Sequence, residues 1–165
     1  MMNLKNLLKR IFLPAPAAKG PIRTYQHAIA SKDYAAAAPL LKEACGRGDV
    51  DAMTLLASLY SSGWGLEQDF EEAALWYRQA AIGGNPDAQA ALGSMLAEGD
   101  GVAVNLNESA YWLYRSARSG HEDALNWLAD LTLQVPDVVG EHFDWSDLTE
   151  LLKTRGKNMM LASAG

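Results

Sequence analysis

The residues of this chain that could do chemistry are few: three histidines, His27, His121 and His142, one cysteine, Cys45, and two glycine pairs, Gly63-x-Gly65 and Gly99-x-Gly101. A metal centre needs donors that converge on one ion, most simply an i, i+4 pair on a helix. No histidine here has a histidine, cysteine or acid at such a spacing, so no metal ligand is assigned. A phosphate loop needs a strand before its glycines and a lysine after them. Both glycine pairs follow a helical pattern and lack the lysine, which makes them turn residues instead. Cys45 falls on the apolar side of a predicted helix, where a buried thiol acts as a small hydrophobe. Catalytic, metal and cofactor residues are therefore expected to be none, and the chain is not expected to be an enzyme.

Those glycines belong to a larger pattern, a period of 36 residues. Asp51-Ala52, Asp87-Ala88 and Asp123-Ala124 open equivalent segments; Gly63 and Gly65 return as Gly99 and Gly101, Trp76 as Trp112, Ala81 as Ala117, and Gly84 as Gly120. A fixed period of this size means stacked supersecondary units. Each unit reads as two antiparallel helices, because apolar residues recur at three- and four-residue spacing: Ala88, Ala91, Leu92 and Leu96 in one, Ala110, Leu113, Tyr114 and Ala117 in the next. Asn85 before Pro86 is a helix start, Asp69 with Glu72 and Asn105 with Glu108 fit a capping box, and Gly84 and Gly120 fit helix ends. Six to eight helices in antiparallel pairs are expected. Trp76, Trp112 and Trp127 are expected in the core.

The motif Ala88-x-x-x-Leu92-Gly93, Gly99-Asp100-Gly101-Val102, Ala110-Tyr111-Trp112, Ala117-x-x-Gly120 resembles the Sel1-like repeat, a longer-looped relative of the tetratricopeptide repeat. Leu56-Ala57, Tyr60, Gly63-Trp64-Gly65-Leu66, Ala73-Ala74, Trp76-Tyr77, Ala80-Ala81 and Gly84 are similar to it as well. The resemblance implies an all-α fold, a right-handed α/α solenoid superhelix of such hairpins. It implies an adaptor and no shared chemistry. Some secreted members are stapled by disulfides, which a chain with a single cysteine cannot form within itself.

In this register residues 21–156 form the repeat domain: a tetratricopeptide-like hairpin at 21–48, repeats at 51–86 and 87–122, and a degenerate capping repeat at 123–156. In that last unit Val135 and Asp137 stand where loop glycines belong, while Leu148, Leu151 and Leu152 precede Gly156. Residues 157–165 read as a tail. Residues 1–20 read as a basic amphipathic segment, with Leu4, Leu7, Leu8, Ile11 and Phe12 on one helical face, followed by the stiff spacer Pro14-Ala15-Pro16-Ala17-Ala18. Three roles stay open for it: an interfacial membrane helix, a motif that docks on a partner, or a terminus packed on the first hairpin. Packing is favoured, since about a dozen residues with three charges anchor weakly. Lys9 and Arg10 interrupt any signal-peptide core, so the chain is placed in the cytoplasm.

Charge is unevenly spread. Residues 1–23 carry five bases and no acid, whereas the rest holds nine bases and all twenty acids, a balance of −11. Nucleic acid is thus excluded as a partner of the repeat body, and a protein or peptide with a basic segment is favoured. Oligomeric state is open. In superhelices of the resembled family the first helix of each unit lines the concave face. Carried over by register, the partner-binding residues are Asp51, Thr54, Ser58 and Ser61, then Asp87, Ala90, Ser94 and Ala97, then Asp123, Asn126 and Asp130, with Glu98 at the rim. Trp64, between two loop glycines where the sister repeat has Asp100, is either a loop anchor for a partner or a ring folded onto the neighbouring hairpin. The function expected is a protein-binding adaptor; the alternative is an immunity-type inhibitor of a bacterial toxin or effector.

Overall fold

A computed structural model describes residues 25–134 together with Glu150 and Lys153. The N-terminal segment 1–20, His142, the tail 157–165, and the 123–156 unit beyond Gln134, apart from those two residues, lie outside the described residues. Within them are seven helices: α1 (Tyr25–Ala30), α2 (Tyr34–Gly46), α3 (Val50–Ser62), α4 (Phe70–Ile82), α5 (Pro86–Glu98), α6 (Leu106–Arg118) and α7 (Glu122–Gln134). Each packs chiefly on its neighbours in sequence, and α5 also reaches α7. That is the pattern of a solenoid, in which every unit contacts only the next.

The helix starts follow from single polar residues. Asp33, Asp49, Asp69, Asn85 and Asn105 each accept a hydrogen bond from the amide three residues on, which satisfies one of the otherwise unpaired N–H groups of the first turn. The two expected capping boxes are only half made. The backbone N–H groups of Asp69 and Asn105 donate to the carbonyls of Tyr60 and Leu96, closing the loop on the first helix, so they have nothing left for Glu72 or Glu108. Gly63 and Gly99 end α3 and α5 at φ of 70° and 84°, conformations open chiefly to glycine.

The core is built from the same period. Ala52, Ala88 and Ala124 are fully buried at one register position, and Leu56, Leu92 and Leu128 at another. On the second helices, Ala37, Ala73 and Ser109 form one row and Ala44, Ala80 and Ser116 the next, all buried. The two serines keep their hydroxyls satisfied by donating to the carbonyls of Gly93, at 2.6 Å, and Pro86, at 2.7 Å. Small residues in these rows let the helices approach closely. Cys45 occupies the position of Ala81 and Ala117 and is buried. Burial, reinforced by the negative charge of Asp49, pushes its thiol up to about 11. The native protein should therefore react with a thiol-disulfide reagent at about pH 8 at least about a hundredfold more slowly than the unfolded chain. Equal rates in the two states would place the thiol at the surface.

Of the tryptophans expected in the core, Trp112 is buried and Trp76 half-buried against the cluster of α2 and α3. Trp127 is not in the core: it is 43% exposed. The apolar stripe that buries α7 runs through Ala124, Leu128 and Ala129, and one residue before Leu128 the helix has turned about 100° away.

Candidate functional site

The first helices of the units, α3, α5 and α7, present one common face to solvent. Taken in steps of 36, its rows are Asp51, Asp87 and Asp123; Leu55, Ala91 and Trp127; Ser58, Ser94 and Asp130; and Ser62, Glu98 and Gln134, every one exposed or half-exposed. On a helix of 3.6 residues per turn the four positions fall within about 60° of one another. The row Thr54, Ala90, Asn126 lies about 60° off the first one, at the edge. Ala90, expected among the partner-binding residues, is instead a core residue: it is 2% exposed and packs with Leu113, Ala117, Ala124 and Leu128. Thr54 and Asn126 are half-buried, and the Thr54 hydroxyl donates back to Val50. The row that takes its place on the face is Leu55, Ala91 and Trp127, of which apolar spacing alone turns Ala91 and Trp127 inward.

Not all the acids of this face are available. The caps at Asp49, Asn85 and His121, again 36 apart, each reach across the seam between units as well as holding their own helix. Asp49 accepts from the Tyr25 hydroxyl at 3.0 Å, the Asn85 amide donates to Asp51 at 3.1 Å, and His121 Nε2 lies 3.5 Å from Asp87. Meanwhile His121 Nδ1 accepts from the Ala124 amide at 3.2 Å, so the histidine caps α7. A period-wide alignment of positions 49, 85 and 121 would have found this ladder; treating each histidine alone hid it. Among the described residues no group of three or more His, Cys, Asp and Glu side chains could hold a metal ion. Asp123 and Asp130, by contrast, have no hydrogen-bond or ion-pair partner among the described residues. They sit on α7 four residues before and three after the exposed Trp127.

The small polar residues of the face are partly engaged. Ser94 donates to Glu98 at 3.2 Å. The Tyr77 hydroxyl, whose pKa is raised first by burial, meets the side chains of Ser58 and Ser61 from below and feels the charge of Asp87. Positive charge is kept elsewhere. The sequences of α3, α5 and α7 contain no Lys, Arg or His, whereas α2, α4 and α6 carry Lys42, Arg78, Arg115 and Arg118. Arg115 lies over the rings of Tyr111 and Trp112, and Arg118 over Tyr114. Arg78 pairs with Glu108, which also accepts from Trp112 at 3.2 Å. Burial pushes the Glu108 carboxyl up, but these two hydrogen bonds and the arginine charge outweigh it and hold its pKa lower than usual.

On the second-helix side a shallow cavity of about 210 Å³ is lined by Glu71, Ala74, Leu75, Arg78, Gly101 and Val102. The loops also dock there. Gly101 rests on the backbone of Phe70 and Glu71, and Gly65 on that of Tyr34 and Ala35, so each loop covers the start of the preceding unit's second helix. The Trp64 ring stacks on Tyr34 of the neighbouring hairpin with centroids 5.1 Å apart and remains 52% exposed. No helix among the described residues is long and apolar enough to cross a membrane.

The family model of the Sel1 repeat matches residues 50–85 and 86–121, the two hairpins α3–α4 and α5–α6. Among solved structures, a Sel1 repeat protein from Oxalobacter formigenes is 29% identical, with a TM-score of 0.63 over 67% of this chain and 45% of that one. The protein c5321, a protective antigen present in uropathogenic Escherichia coli strains and displaying an SLR fold, is 27% identical, with a TM-score of 0.71 over 96% of this chain and 34% of its own. Cysteine rich protein B of Helicobacter pylori, 20% identical at a TM-score of 0.54, covers 68% of this chain and 100% of its own, and shares the fold. The chain thus spans less than half the length of the first two. No curated protein sequence matches it. Sel1 repeats generally mediate protein–protein interaction, and proteins built from them are typically non-catalytic. With the model match and the register in agreement, the chain carries two Sel1 repeats, at residues 50–85 and 86–121, set in an α/α solenoid.

Proposed function

We propose that the protein is a non-catalytic adaptor whose first-helix face captures a basic segment of a partner protein. The observation that carries this reading is charge segregation: three successive helices share a solvent face with acids and no cation, while the bases stand on the second helices. Such a field steers a cationic segment toward the face and repels an anionic one. Trp127 supplies the desolvated contact that charge alone lacks, because a large amphipathic ring buries much area at small entropy cost. Small side chains at Ser58, Ala91 and Ser94 leave room for a helix or strand to lie across the units.

Two synthetic amphipathic peptides, equal in length and apolar content but carrying lysines and arginines in one and glutamates in the other, test the reading. The cationic peptide should bind with an affinity that falls steeply as salt rises, and the anionic one should not bind. Equal binding of both, or binding of the anionic peptide alone, would overturn it.

A further inference from the structure

The stretch Leu4 to Phe12 has a charge pattern opposite to that of the first-helix face. Its sequence has the spacing that a helix would sort into one apolar side, Leu4, Leu7, Leu8, Ile11 and Phe12, with Lys5, Lys9 and Arg10 largely opposite, and it contains no acid. The face has acids, no bases and an exposed indole. We infer that residues 4–12 dock on the first-helix face of their own chain, so that the protein carries an internal occupant which a partner's basic segment must displace. The apolar side covers Trp127 and the adjoining Ala91 position. The bases extend past it to Asp123 and Asp130, which lie about 6 Å and 4.5 Å along the helix axis on either side of the ring. The inference rests on the reading of that face as a site for basic segments and names its resident ligand.

Reach and affinity are compatible with this. Residues 13–24 link the segment to α1, and at about 3.1 Å per residue in the extended form that Pro14 and Pro16 favour they span roughly 37 Å. From α1 to α7 is three repeat steps, so the linker allows roughly 12 Å for each, more than the roughly 8–10 Å between the axes of packed helices. Tethering holds the segment at an effective concentration of about a millimolar, so a contact too weak to persist between separate molecules would still fill the face. The second-helix side is the poorer seat, because Arg78, Arg115 and Arg118 stand there.

A nitroxide on Asn3→Cys in the full chain, in a Cys45→Ala background that copies the residue at Ala81 and Ala117, reads the contact by nuclear magnetic resonance. Signals of Asp123, Asp130 and the Trp127 indole should broaden at low salt and recover at about 0.5 M salt, where charges are screened beyond about 4 Å. They should also recover in Lys5→Glu/Lys9→Glu/Arg10→Glu, and that variant should bind a free peptide of residues 1–13 about tenfold more tightly than the parent. Broadening at Leu75 and Val102 instead would overturn the inference. So would broadening seen only between separately labelled molecules, or transfer of the chain to anionic vesicles with no broadening. If the free peptide binds the face but the tethered segment does not, the adaptor reading stands and this inference fails; if neither binds, both fail.

Discussion

Gly101→Ala is expected to lower the melting temperature by about 10 °C, and Gly120→Ala by only about 4 °C, although both glycines have positive φ, 66° and 91°. Any side chain in the left-handed region costs about 1–2 kcal/mol, and that cost is common to the two. They differ in what a methyl group would meet. Around Gly120 there is open space, whereas a Cβ on Gly101 would enter the Phe70 carbonyl and the Glu71 amide at the start of α4. Those atoms are backbone, held in the first turn of a capped helix, so the loop must lift off the preceding unit. Lifting adds roughly 1–3 kcal/mol, the range for overpacking a well-filled site. Gly65→Ala should behave like Gly101→Ala, because Gly65 meets Tyr34 and Ala35 in the same way. Thermal melts of the three variants decide the matter. Equal losses at Gly101 and Gly120 would mean that the loop does not press on its neighbour and that the glycine is kept for φ alone.

The repeat was legible because each landmark answers a local demand that sequence displays directly. A helix start needs an oxygen three residues before an amide, and Asp49, Asp69, Asn85 and Asn105 supply it. A helix end in the left-handed region needs glycine, and Gly63, Gly84, Gly99 and Gly120 stand there. The rows of Ala and Leu that bury the hairpins are written at the same period.

What escaped the sequence was of another kind: the rotation of a helix about its axis, and contacts across the seam. Ala90 and Ala91 are chemically identical, yet one is buried and the other faces solvent, and apolar character at Trp127 gave the wrong side altogether. Residue type cannot separate a core position from an interface position when both favour apolar side chains; the buried Leu128 row, read across all three units, would have done so. Glu108 shows the same limit. Its spacing from Asn105 suggested a local box, but its carboxylate goes 30 residues back to Arg78, a partner that helix propensity does not reveal.

The same geometry sharpens which substitutions should disable the proposed site. Asp51 and Asp87 are tied to Asn85 and His121, so neutralising them disturbs the seam as well as the face. Asp123 and Asp130 carry no such tie. In the Lys5→Glu/Lys9→Glu/Arg10→Glu background, where the internal segment does not compete, Asp123→Asn/Asp130→Asn should weaken binding of a cationic peptide about tenfold at low salt, with a shallower salt dependence, and should approach the parent near 0.5 M salt, because only screened charge has been removed. Trp127→Ala should cost about 2 kcal/mol, roughly thirtyfold, at every salt concentration, since what it removes is buried area. Trp127 stands on the surface of the repeats and not in their core, so little folding stability goes with it, and melting temperature separates loss of contact from loss of fold. Trp64→Ala provides the contrast. It gives up the stack on Tyr34, worth about 1 kcal/mol of stability, and an affinity loss there at unchanged salt slope would assign the partner to the loop. Full affinity in both α7 variants, with the fold intact, would take the first-helix face out of consideration and leave the loop or the second-helix side to bind the partner.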